Sequence, residues 1–391
     1  MQRTSSSSCT LWQQVGGVAI LLAAIIVCWS AYGFYQPQIL TRLGFPLLAT
    51  WLGIGQGLLG AIVEPYVGFQ SDRLMAKAGN RLPMITIGIS LAGLIFIVLA
   101  FLLEQRLSPA FTWMIPILMT LWVMAMIIFR GPAIALLRQF APTENLPHAN
   151  ALLTFVLGLS GALDPLLQQF FSKIGSTGTF LFGAFCLLLG GTAIGLNQPA
   201  IAIPAIPHPR PAVSLKRSAL IFLVGAAAGM ESFLMLKQIP LQFQALLPEI
   251  SPSYITAVIL LISAITAIPL EKCIHILGIR KSMTCSLGTI ALLLLLSPLV
   301  SHWITAIILL FLFGTAMGLL FIDQIPFALT RVPPALAGWG TGLYFGGMGG
   351  AVGLAGLIQQ LGSLSTWVIS CLTIVAFAIA VFCLSLLKRE F

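Results

Sequence analysis

The sequence predicts an all-α polytopic membrane protein with twelve transmembrane helices in two pseudo-symmetric six-helix halves. Of its 391 residues, 59% are hydrophobic and only 7% are charged, whereas ordinary soluble domains carry about 25% charged residues. Twelve apolar runs approach or exceed the length of about 20 residues that a helix needs to cross a bilayer. They lack apolar/polar alternation, which favours helices over a barrel. The expected spans are 15–35, 47–67, 83–103, 111–137, 149–171, 179–196, 219–236, 255–270, 283–300, 303–327, 339–361 and 367–387.

The net charge of +9 follows the membrane topology and does not indicate nucleic-acid binding. Only Arg42, Arg106 and Lys173 fall on one side of the twelve-helix threading. The positive-inside rule makes the other side cytoplasmic. We therefore expect a multi-pass protein of a bacterial inner or plasma membrane with both termini in the cytoplasm. The basic residues on that side are Arg3, Arg73, Lys77, Arg81, Arg138, Arg210, Lys216, Arg217, Lys272, Arg280, Lys281, Arg331, Lys388 and Arg389.

A proline-rich, polar stretch divides the chain. It is too polar to span a membrane and is typical of a linker, so we expect an N-terminal half over residues 1–197, a cytoplasmic loop over 198–217 and a C-terminal half over 218–391. The seven cysteines are scattered, mostly in apolar runs, without metal-ligand spacing. They are typical of core cysteines, and we expect neither a metal nor a cofactor.

The most informative segment joins the second and third spans. It begins with a buried acid, Glu64, and continues through a polar link that contains Asp72, Arg73 and Arg81. Because the flanking spans are long enough to cross the bilayer, this link must emerge at one membrane face. We call residues 64–83 the latch and expect it to gate the cytoplasmic side.

A second buried charge lies at the same expected depth as Glu64. Glu64 precedes Asp72 by eight residues, and Arg130 precedes Arg138 by eight residues on the fourth span, so each lies about 12 Å inside the loop charges. Neither charge is stable alone in lipid. We predict a Glu64–Arg130 ion pair, with Asp72 meeting Arg138 or a neighbour near the surface.

The end of the tenth span resembles the end of the fourth. Pro326 is followed by Arg331 much as Pro132 is followed by Arg138, which indicates a repeat of about half the chain and adds Asp323 and Arg331 to the expected gate. Such duplicated halves are typical of transporters that rock around a central site.

Four further polar side chains lie within the spans or directly after them. Asp164 is either a functional acid or a structural one that satisfies the backbone beside Pro165 or pairs with Lys237. Glu231 is the acid best placed for protonation because desolvation disfavours its charged form, although a structural hydrogen bond to a neighbouring helix is the alternative. Lys237 lies six residues after Glu231 on a different helix face, and Gln238 follows it.

Polar aromatic residues near the outer end of the first span allow two interpretations. Tyr32, Tyr35 and Gln36 could face a cavity or anchor the membrane interface. The eleventh span carries glycines at four-residue spacing from Gly338 to Gly350, which predicts close helix packing. No Walker-type phosphate loop occurs, so ATP is not expected to drive the protein directly.

The twelve spans, the central loop and the pattern Gly68-x-x-x-Asp72-Arg73 with Gly79-x-Arg81 resemble the major facilitator superfamily and its loop 2–3 signature. Within it, Glu64-Pro65 and Ser71-Asp72-Arg73 look like the glycoside–pentoside–hexuronide and sucrose-type cation symporters. The resemblance implies that Asp72 and Arg73 stabilise one access state. It also implies that helices 1, 4, 7 and 10 line a cavity, which makes Tyr32, Tyr35, Gln36, Glu231 and Gln238 candidates for substrate contact.

The leading hypothesis is a secondary active transporter of a small polar solute such as a sugar or glycoside. Coupling is to H⁺, or alternatively to Na⁺, through Glu231 or Asp164. Efflux of an amphipathic compound by proton antiport is a second hypothesis. A third is a non-transporting relative that assembles pigments or membrane complexes and keeps a stable partner. The sequence argues against an enzyme because no nucleophile, base and orienting group recur together, and we expect a monomer in the lipid bilayer.

Overall fold

The computed structural model describes residues 10–105, 108, 111–197, 214–362 and 364–387. These residues form helices and turns without any strand, which confirms the predicted all-α fold. Within this part of the chain, eleven helices are long and apolar enough to cross a membrane. Arg3, Arg106, Arg210, Lys388, Arg389 and most of the expected central loop lie outside the described residues.

The first half contains six long helices. Span five runs from α5 through Leu163, which keeps backbone angles of φ −78° and ψ −5°, into the start of α6. Gly175 then leaves the helical region with φ 73° and ψ 175°, so the rest of α6 is span six. These helices are α1 Trp12–Arg42, α2 Pro46–Ala78, α3 Leu82–Glu104, α4 Met114–Ala135, α5 Leu146–Ala162 and α6 Asp164–Leu196.

The second half contains six more helices. Helix α7 begins at Leu215 with the Ser214 side chain accepting a hydrogen bond from the Arg217 amide, so the helix includes the last three residues of the expected loop. A π-helical turn, Leu234–Gln238, and a short helix, Ile239–Gln244, extend it. The helices are α7 Leu215–Phe233, α8 Pro252–Leu277, α9 Ile279–Leu296, α10 Trp303–Thr330, α11 Ala337–Leu361 and α12 Thr366–Leu386.

Two hydrophobic cores correspond to the two halves. The first is filled by aromatic side chains such as Phe96, Trp122 and Phe180, and the second by residues such as Phe243 and Phe313. Three buried residues of the second half, Ile325, Leu329 and Ala337, belong to the first core. All three lie where α10 ends and α11 begins, so the halves meet at this end of the bundle.

Helices α2 and α11 approach each other through glycines along most of their length. A Cβ atom on Gly338 would lie 2.6 Å from the Gly68 carbonyl oxygen, and one on Gly353 would lie 2.8 Å from the Leu58 amide nitrogen. Any side chain at these positions would hold the backbones apart. On its other side, α11 contacts α7, where a Cβ on Gly229 would lie 2.6 Å from the Met348 carbonyl oxygen.

Candidate functional site

The centre of the latch is the carboxylate of Asp72, which is 4% exposed. It accepts hydrogen bonds from the amides of Gly338 at 2.8 Å and Trp339 at 2.7 Å. These amides belong to the first turn of α11, where unpaired N–H groups and the helix dipole favour a negative charge. Asp72 of the first half therefore caps a helix of the second half.

Asp72 also pairs with Arg81, not with Arg138 as expected from depth alone. The Arg81 guanidinium lies 2.5 Å from Asp72 Oδ1 and donates a second hydrogen bond to the Ala135 carbonyl at 3.2 Å. Gly79 ends α2 in the left-handed region with φ 68°, and the tight turn that follows returns Arg81 beneath the helix. Arg81 is 2% exposed, so it neutralises a charge that the sequence places at the surface.

The other basic residues expected in the gate serve different contacts. Arg73 is exposed and lies 5.1 Å from the centre of the Phe69 ring. Arg138 donates a hydrogen bond to the Thr143 hydroxyl. Arg331 is buried within the second half, where it donates to the Leu387 carbonyl at 3.4 Å.

The structure contains the ion pair between Glu64 and Arg130 that equal depth predicts. The Glu64 side chain is 8% exposed and that of Arg130 is 27% exposed. Arg130 also lies 5.7 Å from the centre of the Phe345 ring on α11, within cation–π range. The pair thus links α2 and α4 of the first half to a helix of the second half.

Above this ion pair, on the side away from the latch, lies a cavity of about 640 Å³ between the two halves. Its size falls in the range of small-molecule sites. Helices α1, α2, α4, α7 and α11 supply its walls, in contrast to the 1, 4, 7 and 10 arrangement that the family resemblance implies. The lining includes Trp29, Tyr32, Gln36, Gln56, Glu64, Val123, Ile127, Arg130, Ser232, Lys237, Phe345 and Met348.

Aromatic stacking fixes one wall of the cavity. The Tyr32 ring stacks on Trp122 with centroids 4.7 Å apart, and Trp122 stacks on Phe96 at 4.5 Å. The Tyr32 hydroxyl donates to Gln56 Oε1 at 2.9 Å, whereas Gln56 Nε2 is buried without a partner in the described structure. Tyr32 therefore faces the cavity, and Gln56 presents a free donor beside it.

The two neighbouring candidates on α1 differ in position. Gln36 lines the cavity and donates from Nε2 to the Ala49 carbonyl at 3.0 Å. Tyr35 points into the first half, where its hydroxyl donates to the Phe171 carbonyl at 2.9 Å. Tyr32 and Gln36 therefore line the cavity, whereas Tyr35 does not.

The π-helical turn Leu234–Gln238 positions Lys237 on the cavity wall. Single π-turns often occur at functional sites because the extra residue changes the direction of the following side chains. Lys237 is exposed, and no ion pair to it is found among the described residues. Gln238 Nε2 is buried and has no partner in that same part of the chain.

Asp164 is engaged in local hydrogen bonds. It accepts from the Ser30 hydroxyl and from Gln168 Nε2 at 2.5 Å. Neither of these partners is Lys237, the partner that the sequence suggested. Asp164 is therefore a well-satisfied carboxyl that connects α1 to the start of α6.

Two other acids are fully buried inside the second half. Glu231 and Asp323 are each 0% exposed, and none of their carboxyl oxygens has a hydrogen-bond partner in the described structure. Asp323 thus makes no hydrogen bond to the latch in the described structure, and the gate role that the sequence repeat suggests stays a prediction. Tyr344 is also 0% exposed with an unpartnered hydroxyl, and it interacts electrostatically with both acids.

Sequence reasoning missed Gln56, Trp122, Tyr344 and Phe345. Gln56 lay within a glycine-rich face that predicts helix packing, and the three aromatics lay in apolar runs that predict core. No group of three or more His, Cys, Asp or Glu side chains in the described residues could hold a metal ion.

The family model described as Major Facilitator Superfamily matches residues 18–356. The chain belongs to the major facilitator superfamily. Curated protein sequences give no match, so the family assignment rests on this model.

Solved structures share the fold at low sequence identity. One is the human organic anion transporter MFSD10 (TETRAN), with a TM-score of 0.71 and 14% identity over 97% of this chain and 99% of that chain. Another is a bacterial homologue of the iron transporter ferroportin in an outward-facing state, with a TM-score of 0.67 and 14% identity over 96% of this chain and 98% of that chain. The chain therefore shares its fold with two solved transporters.

Proposed function

We propose that this protein is a secondary active transporter that moves a small amphipathic organic anion by proton-coupled alternating access. The latch face is cytoplasmic under the positive-inside rule. In this state the latch closes the cytoplasmic side, while the solute cavity lies on the other side of the Glu64–Arg130 pair. The observation that carries the proposal is the charge and hydrogen-bonding balance of this cavity.

The cavity has an excess of positive charge. Its charged lining residues are Glu64, Arg130 and Lys237, one carboxylate and two cations. Glu64 and Arg130 neutralise each other, so Lys237 is left with a charge that no described side chain matches. An anionic solute would supply the missing partner for this exposed lysine.

Hydrogen-bond donors in the cavity wall also lack acceptors. Gln56 Nε2 and Trp29 Nε1 are both buried without partners in the described structure, although the Gln56 oxygen is used by Tyr32. A buried donor without an acceptor is costly, so these groups favour a ligand that supplies oxygens. A carboxylate can accept several such bonds at once.

The remaining lining is apolar. Val123, Ile127, Phe345 and Met348 surround the polar groups, a composition that suits an apolar body better than a sugar, whose hydroxyls need hydrogen-bonding groups on several sides. Of the two solute classes that the sequence left open, the amphipathic one is therefore favoured. The description of MFSD10 as an organic anion transporter is consistent with this choice.

Binding to the purified protein tests the solute class. We expect an aryl-alkyl carboxylate such as 4-phenylbutyrate to raise the unfolding temperature, because a ligand stabilises the folded state by about 2.7 kcal/mol at a hundred times its Kd. Its uncharged amide should bind more weakly. Lys237→Gln should remove the preference for the carboxylate, whereas Lys173→Gln, which changes an exposed lysine outside the cavity wall, should keep it.

Two results would contradict the proposed solute class. One is equal stabilisation of the wild-type protein by the carboxylate and the amide. The other is stabilisation by a neutral glycoside and by neither aryl compound, which would support the sugar class instead.

A further inference from the structure

We propose that Glu231, Tyr344 and Asp323 form a proton relay through the second half, leading from the solute cavity toward the cytoplasmic side. This inference rests on the proposed transport function. It assigns the proton path to three residues that do not line the cavity.

The outer end of the relay lies next to the cavity. Glu231 is flanked by Gly229 and Ser232, both of which line the cavity, while its own side chain is completely buried. Gly225 of α7 packs against the backbone of Tyr344, and six further residues place Glu231 about 9 Å closer to the outside. A proton from the cavity would therefore reach Glu231 first.

The inner end lies near the cytoplasmic ends of α9 and α10. Asp323 precedes the last residue of α10, Thr330, by seven positions, which corresponds to about 10 Å. Ser282 lies beside Asp323, in the first turn of α9. Asp323 is thus the acid from which a proton would leave toward the cytoplasm.

Tyr344 connects the two acids. Its ring packs against Phe327, one turn after Asp323 on α10, with centroids 6.0 Å apart, and its hydroxyl has no partner in the described structure. A phenol can accept one proton while donating another. When neutral Glu231 gives its proton to the Tyr344 oxygen, Tyr344 gives its own proton to the Asp323 carboxylate. Glu231 then becomes a carboxylate, Asp323 a neutral acid, and Tyr344 stays neutral.

Among the described residues, none of the ion pairs involves Glu231 or Asp323. Two buried carboxylates without partners would each be strongly unfavourable, so protons are the simplest compensation. The charged side chains of the surrounding elements have other locations. Lys237 lies on the cavity wall, Glu271 contacts two histidines, and Arg331 donates to the Leu387 carbonyl. Arg280 and Lys281 line a surface pocket, and Lys216 and Lys272 are exposed.

The relay is interrupted in this state. The oxygens of Glu231, Tyr344 and Asp323 make no hydrogen bonds to one another, so a continuous path requires a movement of α7, α10 or α11. Because α11 also carries the amides that bind Asp72, opening of the latch would move Tyr344 relative to both acids. This coupling would prevent proton leakage while the cytoplasmic side is closed.

Infrared difference spectroscopy between acidic and alkaline pH tests proton binding without any solute. A neutral carboxylic acid and a carboxylate have separate carbonyl bands. We expect the wild-type spectrum to contain neutral carboxyl signals that diminish in Glu231→Gln and again in Asp323→Asn. Glu249→Gln, an exposed loop control, should leave them unchanged. Retention of all these signals in both variants would overturn the relay.

Transport in proteoliposomes provides the second test. We expect Glu231→Gln, Asp323→Asn and Tyr344→Phe to reduce accumulation of 4-phenylbutyrate driven by a pH gradient at least tenfold, with solute exchange kept within about threefold. Tyr35→Phe, which removes a hydroxyl bonded within the first half, should keep both activities. Gradient-driven accumulation at the wild-type level in Tyr344→Phe would overturn the relay, and so would a requirement for Na⁺.

The two tests separate failure of the relay from failure of the proposed function. If the wild-type protein shows no exchange of 4-phenylbutyrate, the proposed transport of this solute is contradicted. The infrared result would still decide whether the two acids bind protons.

Discussion

Replacing Gly338 with Ala should open the latch. A Cβ at this position would lie 2.6 Å from the Gly68 carbonyl oxygen and 2.8 Å from Asp72 Oδ1. Since ordinary contacts of this kind begin near 3.4 Å, α11 would have to move by about 0.8 Å. Both neighbouring groups belong to α2, so the movement would separate the two halves.

This displacement is large for the hydrogen bonds that hold the latch. The bonds from the Gly338 and Trp339 amides to Asp72 measure 2.8 and 2.7 Å, and a shift of about 0.8 Å would take them beyond the usual limit of about 3.2 Å. Hydrogen bonds to charged groups contribute about 1.5–3 kcal/mol each. Loss of both would destabilise the closed latch by about 3–6 kcal/mol, and about 1.4 kcal/mol already changes a population ratio tenfold.

Distance measurement between spin labels gives the readout. Labels at the exposed positions Lys77 on α2 and Lys281 on α9 would report the separation of the halves after exposed cysteines are replaced. We expect a second, longer distance in Gly338→Ala. Gly55→Ala, at a position of α2 with no atom within 4 Å of the new Cβ, should match the parent protein. An unchanged distance distribution in Gly338→Ala would refute the reasoning.

Two further substitutions test contacts between charged groups. Arg130→Ala should lower the free energy of unfolding by about 3–5 kcal/mol, because it leaves Glu64 buried without a cation, and adding Glu64→Gln should restore part of it. Thermal unfolding of the single and double variants measures this, and an Arg130→Ala protein as stable as the parent would argue against the pair. Glu271→Gln removes the contact between Glu271 and His148, which is 52% exposed. It should destabilise the closed latch by at most about 1 kcal/mol, so the label distances should change much less than in Gly338→Ala. A change as large as that in Gly338→Ala would contradict this expectation.

Periodicity and depth were sufficient to predict much of this fold. The twelve expected spans correspond to the observed helices because each apolar run must satisfy its backbone within itself in lipid. The Glu64–Arg130 pair was predictable because both residues lie on helices that run in the same direction, so counting residues gives their depth. Neither inference needs knowledge of which side chains meet across the bundle.

The rest depends on tertiary arrangement. Asp72 pairs with Arg81 because the turn at Gly79 brings the chain back toward the end of α2. Asp72 also binds the Gly338 amide of α11 because the two halves are in contact at this end of the bundle. Asp323 looked like a counterpart of Arg130 in the repeat, but its rotation about α10 directs it into the second half. The π-helical turn that places Lys237 on the cavity wall has no clear signal in residue spacing.

The glycine contacts of α11 also bear on how fast the protein changes state. Helices usually pack by fitting rows of side chains into grooves, and sliding one past the other requires side chains to change rotamer. Between α2 and α11, the contacts at Gly338, Gly342 and Gly353 are made largely by backbone atoms. Few interlocking side chains then resist rotation about this interface, so the activation barrier between access states should be low even where the closed state is strongly favoured at equilibrium.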